Sequence, residues 1–137
     1  MLSICVEVCS AAFYLDNDPG VLISACLFGD GAAAAVLSAA PGARGRRVEW
    51  KAAGTTLSAA DRDYLRFEQK QGMLRNILSR QVPALAAKHA ETVLSETLNR
   101  TGLRREEITG WILHAGGREV LVALRRRLNL SETDVRH

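Results

Sequence analysis

The 137-residue sequence predicts an α/β layered fold. Three observations carry that reading. Short apolar runs with a two-residue alternation, at residues 2–9 and 64–69, read as strands. Two stretches, 83–100 and 118–129, repeat apolar residues at three- and four-residue spacing, which paints one face of a helix. Turn-forming clusters rich in glycine, proline and aspartate punctuate the chain between them.

In chain order, Leu2, Ile4, Val6 and Val8 alternate with mostly small residues, the pattern of a buried or half-buried strand. Asp16-Asn17-Asp18-Pro19-Gly20 is a dense turn signal. Residues 21–28 form an apolar run too short to assign to helix or strand. Gly29-Asp30-Gly31 makes a sharp turn into a small-residue strand at 32–37. Residues 41–47 hold two glycines, a proline and three arginines, and are the best internal boundary.

Residues 48–57 read as a strand and 58–63 as a polar turn. Leu65 and Phe67 share a face of the strand at 64–69, and Lys70-Gln71-Gly72 closes a hairpin onto 73–78. Pro83 suits the first turn of a helix. Ala86, Ala90, Val93, Leu94, Thr97 and Leu98 give that helix its apolar face, and Gly102 stops it. After a polar connection at 103–107, residues 108–114 read as a strand, with Ile108, Gly110 and Ile112 on one side and Trp111 and Leu113 on the other. Gly116-Gly117 breaks it. The second helix turns Val120, Leu121, Leu124 and Leu128 inward and Arg125-Arg126-Arg127 mainly outward. Ser131 and Asp134 have the spacing of a helix-start cap. No internal repeat or low-complexity segment interrupts this order.

Composition bounds the partners. Apolar residues are 47% and charged residues 24%, ordinary for a globular chain. The net charge of +3, with 15 arginines and 3 lysines, is too mild for nucleic acid, and aromatics are only 5%. The arginine bias fits either phosphate-bearing small molecules or a genome rich in arginine codons. Three cysteines without C-x-x-C spacing read as free, buried, reduced thiols in the cytoplasm. No run reaches the ~18–20 apolar residues that span a membrane. The opening residues lack a basic leader, and the apolar pattern begins at once, as though a core strand had been cut into from upstream.

Chemistry has few places to sit. Trp111-Ile112-Leu113-His114-Ala115-Gly116-Gly117 delivers a histidine to the end of a predicted strand, just before a helix, where α/β folds place ligands. His114 there serves as acid, base or hydrogen-bond donor. It reads equally well as a satisfied core histidine beside a plain turn. Leu27-Phe28-Gly29-Asp30-Gly31-Ala32-Ala33-Ala34-Ala35 reads first as a tight turn and close packing; its spacing fits neither a Walker loop nor a dinucleotide loop. His89, mid-helix and expected to be exposed, and terminal His137 carry little functional expectation. No carboxylate pair or metal-ligand cluster stands out.

Three stretches together resemble one family. The segment Ile4-Cys-Val-Glu-Val-Cys-Ser-Ala-Ala-Phe13 looks like the strand ending in Glu-x-Cys-Ser or Glu-x-Thr in type III polyketide synthases (chalcone and stilbene synthase-like). Residues 27–35 are similar to their Leu-Phe-Gly-Asp-Gly-Ala-Ala-Ala segment, which the wider thiolase superfamily shares. Residues 112–117 are similar to their Ile-x-His-Pro-Gly-Gly segment, with Ala115 in place of the common proline. The resemblance implies a partial thiolase-like fold, an incomplete helix–sheet–helix–sheet–helix sandwich. Residues 1–45 would end its N-terminal half, and 46–137 would form part of its C-terminal half.

The chemistry implied is decarboxylative Claisen condensation of acyl-CoA with malonyl-CoA, with no metal or flavin. A cysteine thiolate holds the acyl group, while a histidine and an asparagine stabilise the enolate. By match, His114 takes the histidine role, with Gly116 and Gly117 in its substrate-binding loop. Phe28 matches a phenylalanine gating the coenzyme A tunnel, and Cys9 a cavity-lining position. The second gating phenylalanine should fall near 75–77, where no aromatic stands. The family nucleophile and asparagine have no counterpart in this chain, so the chain alone is expected to be inactive. In full-length form the family resemblance implies a cytoplasmic homodimer. Two alternatives stand beside this reading: a non-catalytic remnant or partner subunit on a thiolase-like scaffold, and a ketoacyl-ACP synthase III-like condensing enzyme. The latter typically continues as His-Gln-Ala-Asn, which the residues after His114 do not.

Overall fold

Alternating apolar residues need a neighbouring strand to satisfy their backbone, and the small residues after Gly31 provide one. β1 (Leu2–Glu7) and β2 (Gly31–Val36) form an antiparallel ladder running from Leu2 opposite Val36 to Glu7 opposite Gly31. The computed structural model describes residues 1–11, 14, 16–40, 48–70, 73–114 and 116–135. Phe13, the 41–47 boundary loop, the hairpin turn at 71–72, Ala115 and His137 lie outside the described residues. The chain forms two compact units: Met1–Trp50 with Phe67–Asn76, and Lys51–Arg66 with Ile77–His137.

In the first unit every residue of β1 and β2 is exposed. The expected buried strand is therefore uncovered here. Two strands alone cannot bury either of their faces. Leu2, Ile4 and Val6, each 60% exposed or more, line one side of the ladder with Ala32, Ala34 and Val36.

The unassigned apolar run becomes a helix, α1 (Pro19–Leu27). Its start signal decides the matter. Pro19 presets the first turn, and the Asp18 carboxylate accepts from the N–H groups of Gly20 (2.8 Å) and Val21 (3.4 Å). Ser24 returns its hydroxyl to the Gly20 carbonyl at 2.7 Å, so its polar atom is satisfied in the buried face.

β3 (Leu65–Lys70) and β4 (Met73–Leu78) form a second two-stranded sheet. Arg75 on β4 ties this hairpin to α1. Its guanidinium reaches Asp18 at 2.9 Å and Glu68 at 2.5 and 2.7 Å. Those contacts explain why Phe67–Asn76 groups with the N-terminal segment. Gly20 lies so close to the Asn76 carbonyl that a Cβ there would stand 2.7 Å away.

In the second unit, α2 (Val82–Thr101) ends as its sequence predicts, at Gly102 in the left-handed conformation (φ 69°). α3 (Arg118–Arg127) packs on it. Ala87, Leu124 and Leu128 are buried at the contact, with Ala90, Leu94, Leu113, Val120, Ala123 and Leu130 around them. Glu91 and Arg127 pair beside it at 2.6 Å. Arg125, expected outward, is half-buried, and its Nε is enclosed without a hydrogen-bond partner.

Two predicted strands are absent. Residues 48–57 are irregular: Gly54 presses against Val93 and Thr97 of α2, and Arg100 donates to the Ala53 carbonyl. Residues 108–114 also form no strand, because no described segment pairs with them. Near the C-terminus, the Ser131 N–H donates to Asp134 at 2.7 Å and the Asp134 N–H donates to the Ser131 hydroxyl at 3.2 Å. The capping pattern thus starts a 3-10 turn, Thr133–Val135.

The uncovered ladder predicts behaviour in solution. The purified chain is expected to bind the dye ANS and to self-associate with rising concentration, measured by fluorescence and sedimentation. Ile4→Asp with Val6→Lys should reduce both signals. A chain that stays monomeric and dark to the dye would contradict this account.

Candidate functional site

The sequence-selected residues lie in both units: Cys9 and Phe28 in the first, His114, Gly116 and Gly117 in the second. Cys9 begins a 3-10 turn, Cys9–Ala11, directly after β1. That turn is held by the aspartate of the Gly-Asp-Gly motif. Asp30 accepts the Ser10 N–H at 2.8 Å and the Ser10 hydroxyl at 2.6 Å. These bonds, the Ser10 hydroxyl first, hold the Asp30 carboxyl below its ordinary range. The motif is thus more than a tight turn: it fixes where Cys9 stands. Burial pushes the half-buried Cys9 thiol up, helped by the negative charge of Glu7.

Phe28 caps the C-terminus of α1 in extended conformation, its N–H bonded to the Ser24 carbonyl. Its ring stands 6.4 Å, centre to centre, from that of Phe67 on β3, tilted by 42°. Sequence reasoning missed Phe67 as a companion of Phe28; the only signal was its place on one face of the β3 pattern. The residues at 75–77 have other tasks. Arg75 holds the salt-bridge cluster. Asn76 is buried with its Oδ1 unpartnered, and Ile77 is half-buried.

His114 follows Leu113, which packs into the α2–α3 core, and its own ring is exposed. It is not the buried, satisfied core histidine of the alternative reading. Gly116 lies beside the imidazole: a Cβ there would meet Cδ2 and Nε2 at 3.4 Å. Gly117 has φ 123° and ψ 154°, a region open essentially to glycine alone. The two glycines therefore serve different ends, one clearing space at the ring and the other turning the chain into α3. An exposed imidazole with bare backbone beside it is suited to hydrogen-bonding a carbonyl oxygen. Before it, Trp111 stacks under the Arg105 guanidinium at 5.3 Å, and Ile112 is exposed.

His89 departs from expectation. It is half-buried and its Nε2 lies 2.8 Å from Asp61 Oδ2, which also accepts the Ser58 hydroxyl at 2.7 Å. The carboxylate stands between serine and histidine, so the histidine is not placed to take the serine proton. The cluster instead ties the 58–61 turn to α2. Among the described residues no group of histidine, cysteine, aspartate and glutamate could hold a metal, and no helix is long and apolar enough to cross a membrane.

Known proteins match the chain along nearly all of it. It is 38% identical to 3,5-dihydroxyphenylacetyl-CoA synthase of Streptomyces toyocaensis over 98% of its length, and covers 36% of that protein. It is 33% identical to 1,3,6,8-tetrahydroxynaphthalene synthase of Streptomyces peucetius subsp. caesius over 93% of its length, and covers 34% of it. The solved 1,3,6,8-tetrahydroxynaphthalene synthase of Streptomyces coelicolor A3(2), a bacterial type III polyketide synthase, superposes with a TM-score of 0.75 at 29% identity. That match takes in 98% of this chain and 38% of the other. The chain thus spans little more than a third of the length of the curated relatives it matches. No protein-family model matches it.

The Asp61 cluster predicts an acid-side dependence of stability. Its carboxyl is held below the ordinary value, chiefly by the Ser58 hydroxyl and then by His89. A depressed folded-state value stabilises above the unfolded value and loses that contribution as pH falls through the folded one. Asp61→Asn should therefore lower the urea midpoint near neutrality, with the gap to wild type closing toward acid. A gap that does not change with pH would rule out this assignment.

Proposed function

The chain is related over nearly its whole length to the type III polyketide synthases, with part of their thiolase-like α/β fold, and on that premise we propose that it carries the malonyl-activating histidine of such an enzyme. One observation supports the reading above others: His114 is an exposed imidazole at the entrance to α3, with Gly116 leaving bare backbone beside the ring. In this role His114 donates a hydrogen bond to the thioester carbonyl oxygen of malonyl-CoA. Loss of carbon dioxide places negative charge on that oxygen, and the donor is worth most at that moment. The enolate carbon then attacks an acyl group held as a thioester on a cysteine, and the cysteine leaves as thiolate.

Cys9 and Phe28 take cavity and tunnel positions in the same reading. The substrates are acyl-CoA and malonyl-CoA, without a metal or flavin, and the full-length protein acts as a cytoplasmic homodimer. None of Cys5, Cys9 and Cys26 sits in the context expected of the nucleophile, so the 137-residue chain by itself performs no condensation.

A second reading draws on a different observation. The exposed apolar ladder of β1 and β2 is what a non-catalytic chain docking onto a fuller thiolase-like partner would present.

A chimera tests the proposal. The matching third of the Streptomyces coelicolor synthase is replaced by this chain, and folding is checked by circular dichroism. The folded chimera is expected to release carbon dioxide from malonyl-CoA and form condensed product. His114→Ala should lower that rate by ~100-fold or more, an oxyanion-donor loss. A folded chimera that is inactive, or one indifferent to His114→Ala, would sink the proposal. In parallel, the isolated chain should form no product from acyl-CoA and malonyl-CoA by mass spectrometry.

A further inference from the structure

Phe28 and Phe67 are large apolar side chains that meet in the first unit while staying 40% and 64% exposed. Their ring centres stand 6.4 Å apart with a 42° tilt, inside the roughly 4.5–7 Å over which aromatic rings touch. A hydrocarbon chain seated between two surfaces needs about 3.5–4 Å to the carbons on each side, hence a gap of about 7–8 Å. The pair leaves no such gap, so the two rings are closed on each other.

Charge ties together the elements that carry the rings. Phe28 caps the end of α1, and Asp18 caps its start. Phe67 directly precedes Glu68 on β3. Arg75 of β4 binds both carboxylates, at 2.9 Å to Asp18 and 2.5 Å to Glu68. The stretch at 75–77 is thereby committed to other work: Arg75 makes the tie, and Asn76 is buried with its Oδ1 unpartnered. No ring comes from that stretch of β4, whereas β3 sets one against Phe28.

We propose that Phe67 is a specificity-determining residue: closed against Phe28, it restricts the acyl group of the coenzyme A thioester to short chains. The proposal rests on the function proposed above, in which Phe28 takes the tunnel position. A long acyl chain passing Phe28 has to part the two rings and gives up their contact. A short one leaves the pair intact. The aromatic expected near 75–77 is thus replaced from the neighbouring strand, by a residue eight positions before Arg75 in the sequence.

Two measurements test this. In the chain itself, Phe28→Leu, Phe67→Leu and the double variant are unfolded in urea. The double variant is expected to lose less than the sum of the single losses, a coupling of about twofold or more in the folding constant. Strictly additive losses would overturn the proposal, because the rings would not be acting as a pair. In the chimera, carrying His114→Ala so that no decarboxylation is needed, binding of ethyl-, hexyl- and decyl-CoA thioethers is measured by calorimetry. Phe67→Ala should raise the decyl-to-ethyl affinity ratio ~10-fold or more, and Phe67→Tyr should keep the original ratio. Phe67→Leu should shift the ratio the same way by less, and it serves if Phe67→Ala does not fold. A residue that only supports the fold would weaken all three ligands alike, so an unchanged ratio in Phe67→Ala or Phe67→Leu would overturn the proposal. Binding is read without condensation, so this reading and that of His114 fail separately.

Discussion

The second unit depends on Ala87. Its side chain ends at Cβ, which lets Leu124 and Leu128 of α3 lie against the body of α2 and become two of the few buried apolar residues described. A longer side chain at 87 would push the helices apart and strain or empty that small core. Leu113 reaches the same core, so the helix contact also anchors the segment that leads to His114. The position of the candidate histidine is therefore a by-product of helix packing one residue away, not of a strand. Among its described residues the first unit has no comparable core; there polar contacts do the organising, with Arg75 spanning α1 and the hairpin.

Local signals explain what could be read in advance. α2 and α3 are legible because each shows an apolar stripe and a start or stop residue: Pro83 and Gly102 for one, Gly117 for the other. β1 and β3 are legible from their alternation, and β2 from its small-residue run. α1 is not, because its run is apolar on every side and carries no periodic stripe; only Asp18-Pro19 marks it. The segments at 48–57 and 108–114 carry strand-like residues without a strand. Alternation supplies a face, whereas a strand also needs a partner ladder, and that is a long-range fact. Even so, part of the alternation at 108–114 survives: Trp111 and Leu113 are half-buried and Ile112 between them is exposed.

The candidate site divides in the same way. His114 with its glycines, and the Gly-Asp-Gly turn, are patterns within a few residues of sequence. The service that Asp30 performs for Ser10 spans 20 residues, and the pairing of Asp61 with His89 spans 28. Nothing in the local spacing announces either. Likewise Phe67 finds Phe28 only through the fold. Residue type told which side chains are able to do chemistry; the chain's return on itself told which of them are held.

Gly117 leaves a last consequence, one of heredity. Its backbone angles belong to glycine alone, and every amino acid reachable from a glycine codon by one base change carries a Cβ. The position has no neighbouring alternative in codon space. The route into α3 is thus fixed at one letter.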